Sequence, residues 1–230
     1  MIAFKKNDEN IYLITNYKVM FSTLKGQSSL VRVVGDRLFY EAVKSWLLFS
    51  RPKFFMVVRD PYDRIESFYK DKFLKAEEYR LWMIENKMER NWQMSTEIFF
   101  PFLDLDTSMS PSDVSGKLLS VSFQQFISLL PKVIMKDAHL KPQHMGARVT
   151  SKNLGFQLSI PIRFKKIFKL ESEKDLAEIT DLFNVDLKTK ENSTKHIKKC
   201  FDWSQDSMNI IEGIYAKDFE QFEYQKRSIT

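Results

Sequence analysis

The sequence predicts an α/β fold, a P-loop-like parallel sheet flanked by helices, in a single domain spanning residues 1–230. Two strand–loop–helix transitions and the helix between them carry that prediction. In the first, the apolar run Ile11-Tyr-Leu-Ile-Thr15 gives way to the loop Asn16-Tyr-Lys-Val-Met-Phe-Ser-Thr23 and to a helix from Ser22 to Val34 that stops at Gly35. In the second, Phe54–Val58 is an aromatic and β-branched run of the kind covered on both faces of a sheet, and a helix starts abruptly after it. Asp60 suits the N-cap, Pro61 suits the first helical position, where its missing N–H is not needed, and Asp63 suits the first turn. Ile65, Phe68, Tyr69 and Phe73 then recur at helical spacing, which makes one face of this helix apolar. Between the transitions, Glu41–Ser50 reads as a crossover helix with Ala42, Val43, Trp46, Leu47 and Phe49 mostly on one side. Such a crossover makes the two strands parallel and brings Lys18 and Arg59 to one edge of the sheet, where open α/β sheets bind ligands.

Downstream, Ala76–Asn91 reads as a charged covering helix, and Phe99–Gly116, with Pro101, Pro111 and several Ser and Asp, as a substrate-side loop or lid. Ser122 and Gln125 form a capping box for a helix that carries Phe123, Phe126, Ile127 and Leu130 and is ended by Pro131. Arg163–Leu170 is a further strand, followed by a helix from Ser172 to Phe183. A terminal helix runs from Asp206 to Glu223 with Met208, Ile211, Ile214, Tyr215, Phe219 and Phe222 recurring along it. No internal repeat interrupts this order.

The composition suits a folded domain with a sizeable core: 43% of residues are hydrophobic, 20 are Phe, and only six are Gly and seven Pro. A formal net charge of +6 favours anionic ligands, but no dense Lys/Arg block points to nucleic acid. The single cysteine, Cys200, leaves no intramolecular disulfide and fits a reducing compartment. The amino terminus lacks the apolar core of a signal peptide, and no run approaches the roughly 20 apolar residues that span a bilayer. The expectation is a soluble, cytoplasmic protein of bacterial type, with the Golgi lumen as the alternative if an anchor lies outside this chain; the oligomeric state is not readable.

Read from the residues alone, the candidate positions keep two meanings each. Lys18 is either a solvated loop residue or a mobile charge at an anion site; Ser22 is either an N-cap or, with Thr23, a pair of hydroxyl donors beside unpaired backbone N–H groups. Arg59 and Arg64 either pair with Asp60, Asp63 or Glu66, or Arg59 joins the hydroxyl of Ser67 on a phosphate, whose oxygens match a guanidinium fork. His139, in Asp137-Ala-His-Leu-Lys-Pro-Gln143, is either structural or catalytic, since an imidazole titrates near neutral pH, and Asp137 is a possible orienting partner. His144 nearby, and His196 four residues before Cys200, invite a metal reading, but the remaining ligands are missing and no metal is expected. The polar, basic stretch Asn192–Lys199 reads as solvated surface or as a loop over a nucleotide.

Val-Arg-Asp-Pro-Tyr-Asp-Arg-Ile-Glu-Ser-Phe-Tyr-Lys-Asp-Lys-Phe73 resembles the 3′-phosphate motif of the membrane-associated carbohydrate sulfotransferases (sulfotransferase family 2), whose donor is 3′-phosphoadenosine 5′-phosphosulfate (PAPS). Lys18-Val-Met-Phe-Ser-Thr-Leu-Lys25 is similar to the family's 5′-phosphosulfate loop, with Met20 and Phe21 standing where small residues are usual, and His139-Leu-Lys-Pro-Gln143 resembles its His-x-x-Pro-Gln element. Phe168–Leu176 and Ile214–Tyr224 are similar to later family segments. The resemblance implies a sulfotransferase-type fold and sulfuryl transfer from PAPS to a hydroxyl, with carbohydrate as the acceptor class. It assigns Lys18 to the bridging oxygen, Ser22 and Thr23 to the 5′-phosphate, Arg59 and Ser67 to the 3′-phosphate, and His139 to the acceptor. A catalytically weak or inactive relative that binds acidic glycans is the alternative, and a kinase-like phosphoryl transferase is disfavoured because no Gly-x-x-x-x-Gly-Lys-[Ser/Thr] is present.

Overall fold

The computed structural model describes residues 2–47, 52–88, 92–151, 157–187 and 201–228. In chain order it contains β1 (Ile2–Lys6), β2 (Ile11–Thr15), α1 (Phe21–Lys25), β3 (Leu30–Val33), α2 (Asp36–Leu47), β4 (Lys53–Val58), α3 (Pro61–Tyr69), a π-helical turn (Lys70–Leu74), α4 (Ala76–Glu85), α5 (Met94–Glu97), α6 (Pro111–Ser120) and α7 (Phe123–Val133). It continues with a 3-10 turn (Gln143–Ala147), β5 (Arg148–Ser151), β6 (Leu158–Pro161), β7 (Phe164–Lys169), α8 (Glu173–Phe183), α9 (Gln205–Ile214) and α10 (Ala216–Phe222). The chain forms two compact units, one from Met1–Asp60, Pro142–Ser193 and Glu220–Tyr224, the other from Pro61–Lys141, Thr194–Phe219 and Gln225–Thr230. No described helix is long and apolar enough to cross a membrane.

The first unit holds the sheet, whose strand order among the described residues is β3-β1-β2-β4-β7. β2, β4 and β7 pair in parallel, as the crossover reading requires, while β1 pairs antiparallel with both β2 and β3. Only β1 therefore runs against the other four. β2 is buried along its whole length and β4 everywhere after Lys53, so their apolar runs are continuous rather than alternating. Their side chains still sort by the two-residue period. Tyr12, Ile14, Phe54, Met56 and Val58 face a cluster with Leu38, Phe39 and Ala42 of α2 and Val149 of β5; Ile11, Leu13, Phe55 and Val57 face Leu24 of α1 and Ile179 and Phe183 of α8.

Several local expectations are corrected. The helix expected over Ser22–Val34 is one turn, α1, followed by β3. Gly26, Ser28 and Ser29 are weak helix formers, Val31 and Val33 are β-branched, and β1 offers the edge that pairs with them, a partner invisible locally. Gly35 does turn the chain with φ 61°, but out of a strand. β1 is a strand that the sequence does not announce locally, being five residues long with two lysines; it makes a hairpin with β2 through Asp8, a left-handed turn residue. Phe99–Gly116 is not a lid without structure: Ser110 caps α6 at Asp113 N, 3.2 Å away, and Pro111 starts the helix. The capping box at Ser122 is present, but Pro131 lies inside α7, two residues before its end. The terminal helix breaks at Tyr215 into α9 and α10. Asn192–Lys199, His196 and Cys200 lie outside the described residues.

The second unit is built on aromatic packing. Phe126 of α7 meets Phe68 and Tyr69 of α3, Phe73, Phe99 and Phe123 at ring-centroid distances of 5.2–6.2 Å. Burying each such ring contributes about 1.5–3 kcal/mol, so this cluster fixes α3 on its apolar face, the Ile65/Phe68/Tyr69 stripe expected from sequence. On the outer side of α3, the Arg227 guanidinium bonds Asp63 Oδ1 at 2.5 Å and Glu66 Oε1 at 3.1 Å.

Candidate functional site

In the first unit the site begins where β2 ends. Residues 16–20 turn sharply: Val19 N donates to Asn16 O at 3.2 Å, and Thr15 Oγ1 donates to Val19 O. Lys18 and Met20 both take left-handed backbone, with φ 66° and 56°. Met20 is followed directly by helical residues, and a left-handed residue before a right-handed one turns successive N–H groups to one side, a backbone shape that binds anions. The side chains of Met20 and Phe21 pack against the core cluster around Leu13, Val19 and Leu24. Their bulk is therefore accommodated on the core side of the loop, at the cost of about 1–2 kcal/mol for left-handed backbone at a residue other than glycine. Ser22 and Thr23, both half-buried, occupy the first turn of α1.

Ile14 pairs with Met56, so β2 and β4 end side by side. Arg59 leaves β4 beside this loop, and its Nη1 donates to Lys18 O at 3.3 Å. The backbone of Arg59 is gripped by one side chain: Gln143 Oε1 accepts from Arg59 N at 2.9 Å and Gln143 Nε2 donates to Arg59 O at 2.6 Å. Gln143 is fully buried, and its own carbonyl accepts from Asn16 Nδ2 at 3.4 Å. A single residue, through its side-chain amide and its backbone carbonyl, thus ties the exit of β4 to the first residue of the loop after β2. Gly146 lies so close that a Cβ there would stand 3.0 Å from Asn16 Oδ1. Next to Arg59, Asp60 N donates to Glu171 Oε1 at 2.9 Å.

In the second unit, Ser67 sits half-buried on α3, three residues after Arg64. Arg64 is fully buried, and the ion pairs expected for it with Asp60, Asp63 or Glu66 give way to backbone carbonyls: Nη1 donates to His139 O at 3.2 Å, and Nη2 to Leu140 O at 3.1 Å and Lys141 O at 2.9 Å. Tyr215 OH also donates to Leu140 O, at 2.6 Å. The His139 ring is half-buried beside Phe68, with Nδ1 2.7 Å from Asp137 Oδ1, which also accepts from His139 N at 2.7 Å. Burial works against ionisation of Asp137, but the hydrogen bonds from His139 outweigh it and hold the carboxyl below its usual value. An ionised Asp137 fixes the tautomer with the proton on Nδ1, which makes Nε2 the basic nitrogen.

Lys18, Ser22, Thr23 and Arg59 therefore belong to the first unit, and Ser67 and His139 to the second. The structure joins Lys18 to Arg59 directly and His139 to Asp137.

A model of the sulfotransferase family matches residues 39–225. The chain belongs to the sulfotransferase family. No curated protein and no solved structure matches it. The matched segment of this sulfotransferase includes Arg59, Ser67 and His139 and begins after Lys18, Ser22 and Thr23, which stand on the geometry of their own loop. The enzyme moves a sulfuryl group to an acceptor, and the transfer puts negative charge on the leaving group, where fixed cations and N–H donors act. In this sulfotransferase the sequence reading missed Gln143, Asn16 and Gly146, which brace the two loops, and Arg64 and Tyr215, which brace the His139 turn. Gln143 is visible as the last residue of the His-x-x-Pro-Gln string, but nothing local shows that its amide reaches Arg59, 84 residues earlier.

Proposed function

We propose that this sulfotransferase transfers the sulfuryl group of PAPS to a hydroxyl of a carbohydrate. The observation that carries the reading is the bonded pair of cationic residues at the ends of β2 and β4, Arg59 Nη1 on Lys18 O, within a chain of this family. Lys18 neutralises charge on the bridging oxygen as the sulfur–oxygen bond to the 5′-phosphate breaks. Ser22 and Thr23 hold the 5′-phosphate, and Arg59 and Ser67 hold the 3′-phosphate. The new sulfur–oxygen bond forms to the acceptor oxygen, and the acceptor proton passes to Nε2 of His139, whose imidazolium Asp137 stabilises. The products are a sulfate ester and 3′,5′-bisphosphoadenosine (PAP). The net charge of +6 suits a nucleotide carrying several negative charges.

The test is transfer of label from [35S]PAPS across a panel of saccharides, with phenols and peptides as other acceptor classes. Label is expected in a saccharide, and His139→Ala is expected to reduce turnover about 10²- to 10⁴-fold, the usual worth of a general base. Full turnover by His139→Ala, or label passing only to phenols or peptides, would overturn the base or the acceptor class respectively.

A further inference from the structure

The second Arg of the β4–α3 motif does a different job from the first. We infer that Arg64 is a positioning residue that sets the His139 imidazole for proton transfer, by holding the backbone on which that side chain is mounted. This rests on the reading of His139 as the base. Three successive carbonyls, those of His139, Leu140 and Lys141, turn inward onto one guanidinium at 2.9–3.2 Å. Tyr215, whose ring centroid lies 5.2 Å from the Arg64 guanidinium carbon, donates its hydroxyl to the same Leu140 O. From outside, Asp137 Oδ1 receives both the backbone N–H and the ring of His139. Backbone and imidazole are thus fixed from opposite ends, and the ring can neither rotate nor exchange tautomers without breaking one of these bonds.

Stability alone is a poor reason for this arrangement. A fully buried guanidinium is costly to desolvate, and here the partners seen are neutral, three carbonyls and the Tyr215 side chain, with Nε left without a hydrogen-bond partner among the described residues. The forked, planar shape of Arg is what three carbonyls in a row require; an ammonium on the same stem cannot reach them together. The helical spacing adds to the case. Arg64, Ser67 and Phe68 stand at i, i+3 and i+4 on α3, so the helix that carries the candidate phosphate hydroxyl also carries the groups that hold His139, with Phe68 against its ring at 6.2 Å.

The test uses the full chain and the fact that it has three histidines, His139, His144 and His196. Two-dimensional 1H–15N spectra of the imidazoles, assigned with His139→Gln, are recorded for wild type, Arg64→Lys and Tyr215→Phe, alongside PAP affinity and kcat. Expected are a wild-type His139 signal in the Nδ1–H tautomer and its shift to a mixture of tautomers in Arg64→Lys. A smaller shift in the same direction is expected in Tyr215→Phe. In Arg64→Lys kcat should fall at least tenfold, with PAP affinity unchanged within twofold. A folded Arg64→Lys with the wild-type His139 signal, or with unaltered kcat, overturns the inference; if that variant does not fold, an unshifted His139 signal in Tyr215→Phe overturns it. Wild-type turnover in His139→Gln would instead sink the assignment of the base, while the ring signals still judge what Arg64 does.

Discussion

Replacing Gln143 with alanine removes both hydrogen bonds to the backbone of Arg59, at 2.9 and 2.6 Å, while leaving the Gln143 carbonyl to Asn16. An unpaired buried backbone group costs about 1–3 kcal/mol. Two such groups, partly rehydrated by water entering the vacated space, give a loss of about 2–4 kcal/mol. For a chain of this size that corresponds to a melting temperature roughly 5–15 °C lower by calorimetry. Because the same bonds fix Arg59, PAP should bind at least about tenfold more weakly, the equivalent of about 1.4 kcal/mol. Gln143→Glu sharpens the test. It keeps an acceptor for Arg59 N but turns a carboxylate lone pair toward Arg59 O in a fully buried site, where burial raises the pKa of the introduced carboxyl. A raised folded-state pKa gives stability at low pH that is lost as pH rises through it, so this variant should be closer to wild type at pH 5 than at pH 8. A melting temperature within about 1 °C of wild type for Gln143→Ala, together with unchanged PAP affinity, would refute the clamp.

Two further outcomes follow from the same unit. Gly146→Ala places a Cβ 3.0 Å from Asn16 Oδ1 and 3.2 Å from Nδ2, with Met56 Cε at 3.5 Å behind it, so Asn16 must move; a loss of about 1 kcal/mol by denaturant melts, and weaker PAP binding, are expected. Tyr12, in the strand leading to the loop, has its pKa pushed up to about 12, first by burial and then by the Glu41 carboxylate. Its folded pKa lies above the unfolded value, so the stability it contributes is complete below pH 10 and is lost as pH rises toward 12. Tyr12→Phe should flatten the fall in stability between those values, and an unchanged alkaline unfolding curve would contradict the burial of its hydroxyl.

Legibility followed the range of the forces involved. β2, β4 and α3 could be read because their signals are local: continuous apolar runs, Asp60-Pro61, and the Ile65/Phe68/Tyr69 spacing. β1 and β3 could not, because each is a short strand stabilised by partners elsewhere in the chain, and β3 carries only Leu30 and Val33 inward. Likewise the charged side chains at strand ends announced a site, but the groups that orient them did not. Gln143 and Arg64 act on backbone atoms 75 or more residues away, and a hydrogen bond to a carbonyl carries no signature in the identity of the residue that owns it. Arg64 even had a plausible local partner in Asp63, which binds Arg227.

The most direct measurement is a calorimetric titration of the full chain with PAP, in parallel with Arg59→Ala and Lys18→Ala. Saturable one-site binding is predicted, weakened at least about tenfold by either substitution, since a charge-assisted hydrogen bond contributes about 1.5–3 kcal/mol. Absence of saturable binding, or equal affinity in all three proteins, would contradict a bisphosphorylated nucleotide held by the ends of β2 and β4.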